Sequence, residues 1–123
     1  MSLGVPHKLD VSVPIGRLAE FERRVREVVA TVDPAAHTVL FGHVGDGNFH
    51  VNVLGPAPDD DAVDDAILGL VVEMGGSVSA EHGIGVAKRR FLPLARSPEE
   101  IEAFRAIKAA LDPDGILNPG ALL

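Results

Sequence analysis

The sequence contains no cysteine, and that absence removes several kinds of chemistry at once. Without a thiol the chain can form no disulfide, no thiolate metal ligand and no cysteine nucleophile. Basic residues are also few: 11 stand against 18 acidic ones, and the formal net charge is −7. A nucleic-acid-binding surface needs clustered lysine and arginine, so the acidic balance argues against a nucleic-acid partner.

Long apolar runs are missing as well, since no stretch approaches the roughly 20 residues that a transmembrane helix requires. No signal peptide is visible at the start of the chain. We therefore expect a cytoplasmic location. With 123 residues, 46% of them hydrophobic, the chain is long enough to bury a core and short enough to be one domain. Residues 1–7 are interpreted as a linker or a remnant of cloning.

Hydrophobic periodicity predicts an antiparallel α+β fold. Apolar spacing typical of amphipathic helices covers two segments, residues 17–32 and 63–74. Strand-like patterns cover four short segments, residues 8–13, 38–44, 49–54 and 77–81. The resulting order, β-α-β-β-α-β, is that of a ferredoxin-like sheet with both helices on one face. We expect this core to span residues 8–85.

A helical tail is predicted to follow the core, over residues 86–123. Ser97 suits the N-cap of its main helix, because Pro98 stands at the first helical position and Glu100 completes a capping box. That helix is predicted to end before Asp112, where a turn-forming Asp-Pro-Asp-Gly segment begins.

Strand parity predicts one sheet face that no helix covers. If the valines of the strands, such as Val11 and Val51, face the helices, polar residues occupy the opposite face. These polar residues are Lys8, Asp10, Ser12, His50, Asn52, Ser77, Ser79 and Glu81. An ordinary solvated sheet face is the simpler interpretation, but the set is more polar than solvation alone demands.

Two histidines and a glutamate on or near this face suggest a metal site. His43 and His50 flank a hairpin turn, which brings their side chains within reach, and Glu81 ends another predicted strand. Two imidazoles and one carboxylate make up an open catalytic divalent site. The alternative is a purely structural histidine pair. His82, next to Glu81, is either a general base or a strand-end histidine bonded to the backbone.

Three motifs occur in order along the chain and together resemble a known family. They are Gly-His-Val-Gly-Asp-Gly-Asn-Phe-His at 42–50, Ser-Ala-Glu-His-Gly-Ile-Gly at 79–85 and Asp-Pro-Asp-Gly-Ile-Leu-Asn-Pro-Gly at 112–120. The resemblance is to the C-terminal cap domain of FAD-linked oxidases in the vanillyl-alcohol oxidase superfamily. Within it, the D-lactate dehydrogenases, the D subunit of glycolate oxidase and the D-2-hydroxyglutarate dehydrogenases are most similar. The likeness extends over residues 8–123.

The resemblance implies an oxidoreductase that converts a D-2-hydroxy acid, of the lactate, glycolate or 2-hydroxyglutarate type, into the 2-oxo acid. It implies a divalent metal, zinc or manganese, held by His43, His50 and Glu81. By the same likeness, His82 takes the hydroxyl proton while hydride passes to the flavin. Lys8 and Asn52 are implied to bind substrate, and Asn118 to approach the isoalloxazine edge.

The family's FAD is bound mainly by an N-terminal domain that this chain does not include, so we expect the chain alone to be inactive. The expected partners are that FAD-binding domain and a small 2-hydroxy acid. The sequence does not identify the electron acceptor. An acceptor in the inner membrane would bring the protein into peripheral contact with that membrane. The exposed sheet face also predicts a homodimer. The competing hypotheses are a non-catalytic ferredoxin-like module that binds a metal or a partner, and a metal-free relative that oxidises phenols or builds ether lipids.

Overall fold

A computed structural model describes residues 4–121 and 123 of the chain. The chain divides into two compact units, the first ending at His82 and the second beginning at Gly83. Of the predicted linker at 1–7, residues 1–3 lie outside the described residues, and His7 already belongs to the first strand. The functional division into core and tail stays a prediction.

The first unit contains a three-stranded antiparallel sheet and two long helices. Its elements are β1 (His7–Ser12), α1 (Leu18–Val32), β2 (His37–His43), β3 (Asn48–Leu54) and α2 (Ala62–Glu73). A 3-10 turn, Ile15–Arg17, precedes α1. The strand order is β1-β3-β2, so β3 is the central strand. The α+β class is thereby confirmed.

Strand parity separates an apolar sheet face from a polar one. The apolar face is buried against the helices, as shown by the rings of Phe21 in α1 and Phe49 in β3, whose centroids lie 5.1 Å apart. Other core residues on this face are Leu9, Val11, Val51 and Val53. The register pairs Lys8 with Asn52 and Asp10 with His50, which places these four on the other face, as predicted.

The predicted fourth strand at 77–81 does not form. One antiparallel bridge, between Ser12 and Ser77, continues the sheet beyond β1, and the described residues after Ser77 pair with no strand. The reason lies in the hydrogen bonds. The backbone N–H groups of Ala80, Glu81 and His82 all donate to the Asp10 carboxylate instead of to a strand backbone.

The hairpin turn between β2 and β3 is confirmed and is tied to the end of β1. The Asp46 carboxylate accepts the N–H of Asn48 at 3.1 Å, which closes the turn locally. The N–H of Val13 donates to the carbonyl of Gly47 at 3.0 Å. These bonds fix the start of β3 and therefore the position of His50, two residues further on.

The second unit is helical and ends in a turn around a buried carboxylate. It contains a 3-10 turn (Arg89–Phe91), α3 (Leu92–Ala95) and α4 (Pro98–Leu111). The predicted capping box of α4 is confirmed, since Ser97 accepts the N–H of Glu100 and the Glu100 side chain accepts the N–H of Ser97. Asp112 accepts the N–H groups of residues 116 and 117, and its hydrogen bond from Lys108 lowers its pKa.

A buried histidine and a half-buried aspartate pair with each other and join β1 to the start of α2. His7 is only 8% exposed, and its Nδ1 lies 3.0 Å from the Asp64 carboxylate. Its Nε2 lies 2.9 Å from the carbonyl oxygen of Ala57, so this nitrogen carries the proton of that bond. Burial raises the pKa of the Asp64 carboxyl, against the lowering influence of His7.

An Asp64→Asn variant is expected to gain stability relative to the unsubstituted chain as the pH rises from about 3 to about 6. Because the folded-state pKa of Asp64 is raised, the stabilisation linked to its proton is present at low pH and is lost as pH rises. Asparagine has no proton to lose. The measurement is urea unfolding of both chains across this range.

Asp65→Asn is the matched control, because Asp65 is exposed in the same helical turn and carries the same charge. A similar pH-dependent difference in the Asp65→Asn chain would show that helix charge, not burial, is the cause.

Candidate functional site

The polar sheet face is organised around the carboxylate of Asp10, which is 3% exposed. One of its oxygens, Oδ2, accepts the backbone N–H groups of Ala80 at 3.1 Å, Glu81 at 2.9 Å and His82 at 2.9 Å. The Ser79 hydroxyl lies 3.5 Å from the same oxygen. The sequence placed Asp10 on this face, but no local pattern signalled its hydrogen bonds, since they span about 70 residues.

Three side chains, those of His50, Glu81 and His82, converge on this carboxylate and form a group of four with it. Glu81 Oε1 lies 3.3 Å from His50 Nε2 and 4.0 Å from His82 Nε2. Asp10 lies 4.0 Å from His50 Nδ1 through Oδ1, and 4.0 Å from His82 Nδ1 through Oδ2. One ligand atom from each of the four residues lies within 4.8 Å of the others. Imidazole nitrogen and carboxylate oxygen are ligands that suit zinc and other first-row divalent ions, so these residues fit such an ion.

His43, the third predicted metal ligand, lies beside this group. Its ring is edge-on to that of His50, with 6.4 Å between the ring centroids. The side chain is exposed at the end of β2, where a change of rotamer moves the ring without moving the strand. The structure therefore brings His50, Glu81 and His82 together and leaves His43 at the edge of the group; its role as a ligand stays a prediction.

An open cleft of about 280 Å³ adjoins the group, and Lys8 and Asn52 contribute to its walls. Phe41 of β2 lines it too, with its ring centroid 5.0 Å from that of His50. Although it is 53% exposed, Phe41 presents an apolar surface next to polar side chains. Sequence reasoning missed Phe41, but the alternation that places His43 on this face also places Phe41 there. An ammonium, an amide and imidazoles around one small cleft suit a small carboxylate ligand.

Comparison with known proteins shows the family of the chain. The family described as FAD linked oxidases, C-terminal domain, matches residues 2–122 of the chain. The chain belongs to this family. The resemblance that the three motifs indicated is therefore confirmed.

Several curated relatives are similar over nearly the whole chain. A D-2-hydroxyglutarate dehydrogenase of Stutzerimonas stutzeri is 42% identical over 95% of the chain and 27% of its own length. The mitochondrial D-2-hydroxyglutarate dehydrogenase of Bos taurus is 40% identical over 98% of the chain and 22% of its own length. An uncharacterized FAD-linked oxidoreductase of Mycobacterium tuberculosis is 37% identical over 98% of the chain and 26% of its own length. The chain thus spans about a quarter of the length of these relatives.

Asn118, the residue predicted to approach the flavin, belongs to the second unit. It has a positive φ of 45°, which is uncommon for a residue with a side chain. It lines a cleft of about 280 Å³ within that unit, together with Lys108 and the residues near the chain end. Its role toward the flavin stays a prediction.

None of the helices among the described residues is long and apolar enough to cross a membrane.

Proposed function

We propose that this chain is the C-terminal domain of an FAD-dependent dehydrogenase that oxidises a D-2-hydroxy acid to the 2-oxo acid, with D-2-hydroxyglutarate the first substrate to test. The observation that carries the proposal is the 3.3 Å approach of Glu81 to His50, with His82 beside them. Nitrogen and oxygen ligands next to a lysine-lined cleft suit a hydroxy acid, which offers a hydroxyl and a carboxylate. Two of the relatives above are named D-2-hydroxyglutarate dehydrogenases.

We propose His43, His50 and Glu81 as the residues that hold a divalent ion, zinc or manganese. Such an ion, when bound, acts as a Lewis acid that lowers the pKa of an adjacent hydroxyl. Glu81 supplies negative charge, and the two histidines supply neutral nitrogen ligands. The side chain of Glu81 is 47% exposed, so ligand exchange with solvent is open on that side.

His82 is the proposed base. Its side chain is 67% exposed, and its Nε2 lies 4.0 Å from Glu81 Oε1 at the rim of the group. A neutral imidazole there can accept the hydroxyl proton of the substrate on a ring nitrogen. The chemistry that bound FAD would supply is that of an acceptor for the hydride from the α-carbon. Loss of that proton and of that hydride, which carries two electrons, converts the hydroxy acid into the 2-oxo acid.

Lys8 and Asn52 are the proposed substrate-binding residues. They are paired across β1 and β3, so both side chains emerge on the same sheet face. The lysine ammonium would pair with the substrate carboxylate, and the asparagine amide would donate a hydrogen bond beside it. Phe41 lines the same cleft with an apolar ring. Asn118 is proposed to approach the edge of the flavin.

The proposed partner of this domain is an FAD-binding domain in the same protein. In its absence, a second copy of the chain is the proposed cover for the polar face, beside which Val39 is 48% exposed on the edge strand β2. We propose a cytoplasmic location. Any contact with the inner membrane would be made through the electron acceptor, which the sequence does not identify.

The test is anaerobic reduction of the flavin in the protein that carries this domain. D-2-hydroxyglutarate is expected to bleach the flavin band, and L-2-hydroxyglutarate is the matched control. The rates of flavin reduction by D-lactate and glycolate show which substrate side chain the protein prefers. Treatment with a chelator is expected to slow the bleaching, and added zinc or manganese to restore it. A flavin that stays oxidised with every D-acid, or a protein without flavin, would support the non-catalytic binding module instead.

A further inference from the structure

We infer that Asp10 is a positioning residue, whose carboxylate shapes the Ala80–His82 backbone so that Glu81 and His82 reach the same site. The inference rests on the proposed function, because it gives that site its geometry. The sequence predicted no functional role for Asp10. Yet one of its oxygens accepts hydrogen bonds from three successive backbone N–H groups.

Adjacent residues of an extended strand point to opposite faces of the sheet. Had residues 77–81 continued as a strand, Glu81 and a following His82 would have been directed apart. Instead, Glu81 Oε1 lies 3.3 Å from His50 Nε2, and the ring centroids of His50 and His82 are 5.6 Å apart. Both neighbours therefore face one histidine, which requires a curved backbone between them.

Three successive N–H groups that converge on one point form a concave anion-binding backbone, and the Asp10 carboxylate is the anion. Hydrogen bonds to a charged acceptor are stronger than those to a neutral one, which suits the distances of 2.9 to 3.1 Å. Because these N–H groups bond to Asp10, they do not pair with β1 as a fourth strand would. Among the described residues, the Ser12–Ser77 bridge is what remains of that strand.

Asp10 lies closer to this backbone than to the histidines. Its oxygens lie 4.0 Å from His50 Nδ1 and from His82 Nδ1, beyond hydrogen-bonding distance. The same carboxylate lies 2.9 Å from the backbone nitrogens of both Glu81 and His82. Its expected influence is thus on where those side chains stand.

The experiment compares Asp10→Asn with the unsubstituted 123-residue chain, with Co²⁺ as the probe. Asparagine keeps the size of the side chain but offers a neutral oxygen, so the hydrogen bonds that hold the bend at 80–82 should weaken. Co²⁺ is expected to bind about 10- to 100-fold more weakly, with a changed visible absorption spectrum, as for other residues that support metal ligands. Amide exchange at residues 80–82 without metal is expected to accelerate.

Asp33→Asn is the matched control, because Asp33 also accepts a backbone N–H, that of Ala35 at 2.9 Å, in the connection between α1 and β2. It should leave the Co²⁺ spectrum and the exchange at 80–82 unchanged. Unaltered exchange at 80–82 in Asp10→Asn would overturn the inference. So would a Co²⁺ affinity and spectrum equal to those of the unsubstituted chain.

Asp10→Glu covers the case in which the asparagine variant does not fold. Glutamate keeps the charge but moves the oxygens by one methylene, so the spectrum should change while the affinity falls less than in Asp10→Asn. A spectrum identical to that of the unsubstituted chain would count against positioning. If the unsubstituted chain itself binds no Co²⁺, the proposed metal site fails, and the exchange measurement still decides the role of Asp10.

Discussion

A Glu81→Gln variant is expected to bind Zn²⁺ about 100-fold or more weakly than the unsubstituted chain. Loss of residues that merely support metal ligands commonly weakens binding 10- to 100-fold, and the proposed role of Glu81 is more direct. Glutamine preserves the size and the backbone hydrogen bond to Asp10 but removes the charge that faces His50 at 3.3 Å. Since the Glu81 side chain is half exposed, the fold should persist.

Isothermal titration with Zn²⁺ measures this effect, and thermal unfolding of the same samples checks the fold. Glu102→Gln is the control, because Glu102 is an exposed glutamate of α4 whose contact is a surface pair with Arg105. The control should match the unsubstituted chain in both measurements. Equal Zn²⁺ affinity in Glu81→Gln would remove Glu81 from the metal site, whatever the reaction of the whole protein.

Gly47→Ala is expected to destabilise the first unit by about 2–4 kcal/mol. Alanine would have to adopt a left-handed backbone conformation, and its Cβ would clash with neighbouring atoms. Gly47 has a φ of +74°, which disfavours any residue with a side chain. An added Cβ would also lie 2.2 Å from the carbonyl oxygen of Val13, so one backbone segment must shift. A loss of this size is a large fraction of the stability of an ordinary domain.

The measurement is urea unfolding, with Gly45→Ala as a control in the same turn. Gly45 is exposed, its φ is not in the left-handed range, and an added Cβ there meets no atom within 4 Å. Its replacement should change stability by less than about 0.5 kcal/mol. Similar midpoints for the two variants would mean that the turn relaxes freely and that its contact with β1 is weak.

The hairpin illustrates what local sequence predicts well. A turn-forming segment between two β-rich segments predicted the strands on either side of it, and the alternation of apolar residues set their faces. That alternation correctly placed Lys8, His50 and Asn52 on one surface. The α4 cap was equally local, because the Ser97 and Glu100 partners are three residues apart.

The segment after Ser77 illustrates the opposite case. Its short apolar pattern is compatible with a strand, and no nearby residue indicates otherwise. What bends it is a carboxylate about 70 residues earlier in the chain, which reaches its N–H groups only once β1 is in the sheet. Strand propensity is a weak preference, and three charge-assisted hydrogen bonds override it.

The sequence by itself determined the family, the α+β class and the polar face, because motifs, periodicity and turn residues act over short distances along the chain. Only the tertiary structure decided which of the polar residues meet. It joined His50, Glu81 and His82 around Asp10, left His43 at their edge and replaced a fourth strand by a bend. The physical reason is that hydrogen bonds between distant segments depend on how the sheet brings them together.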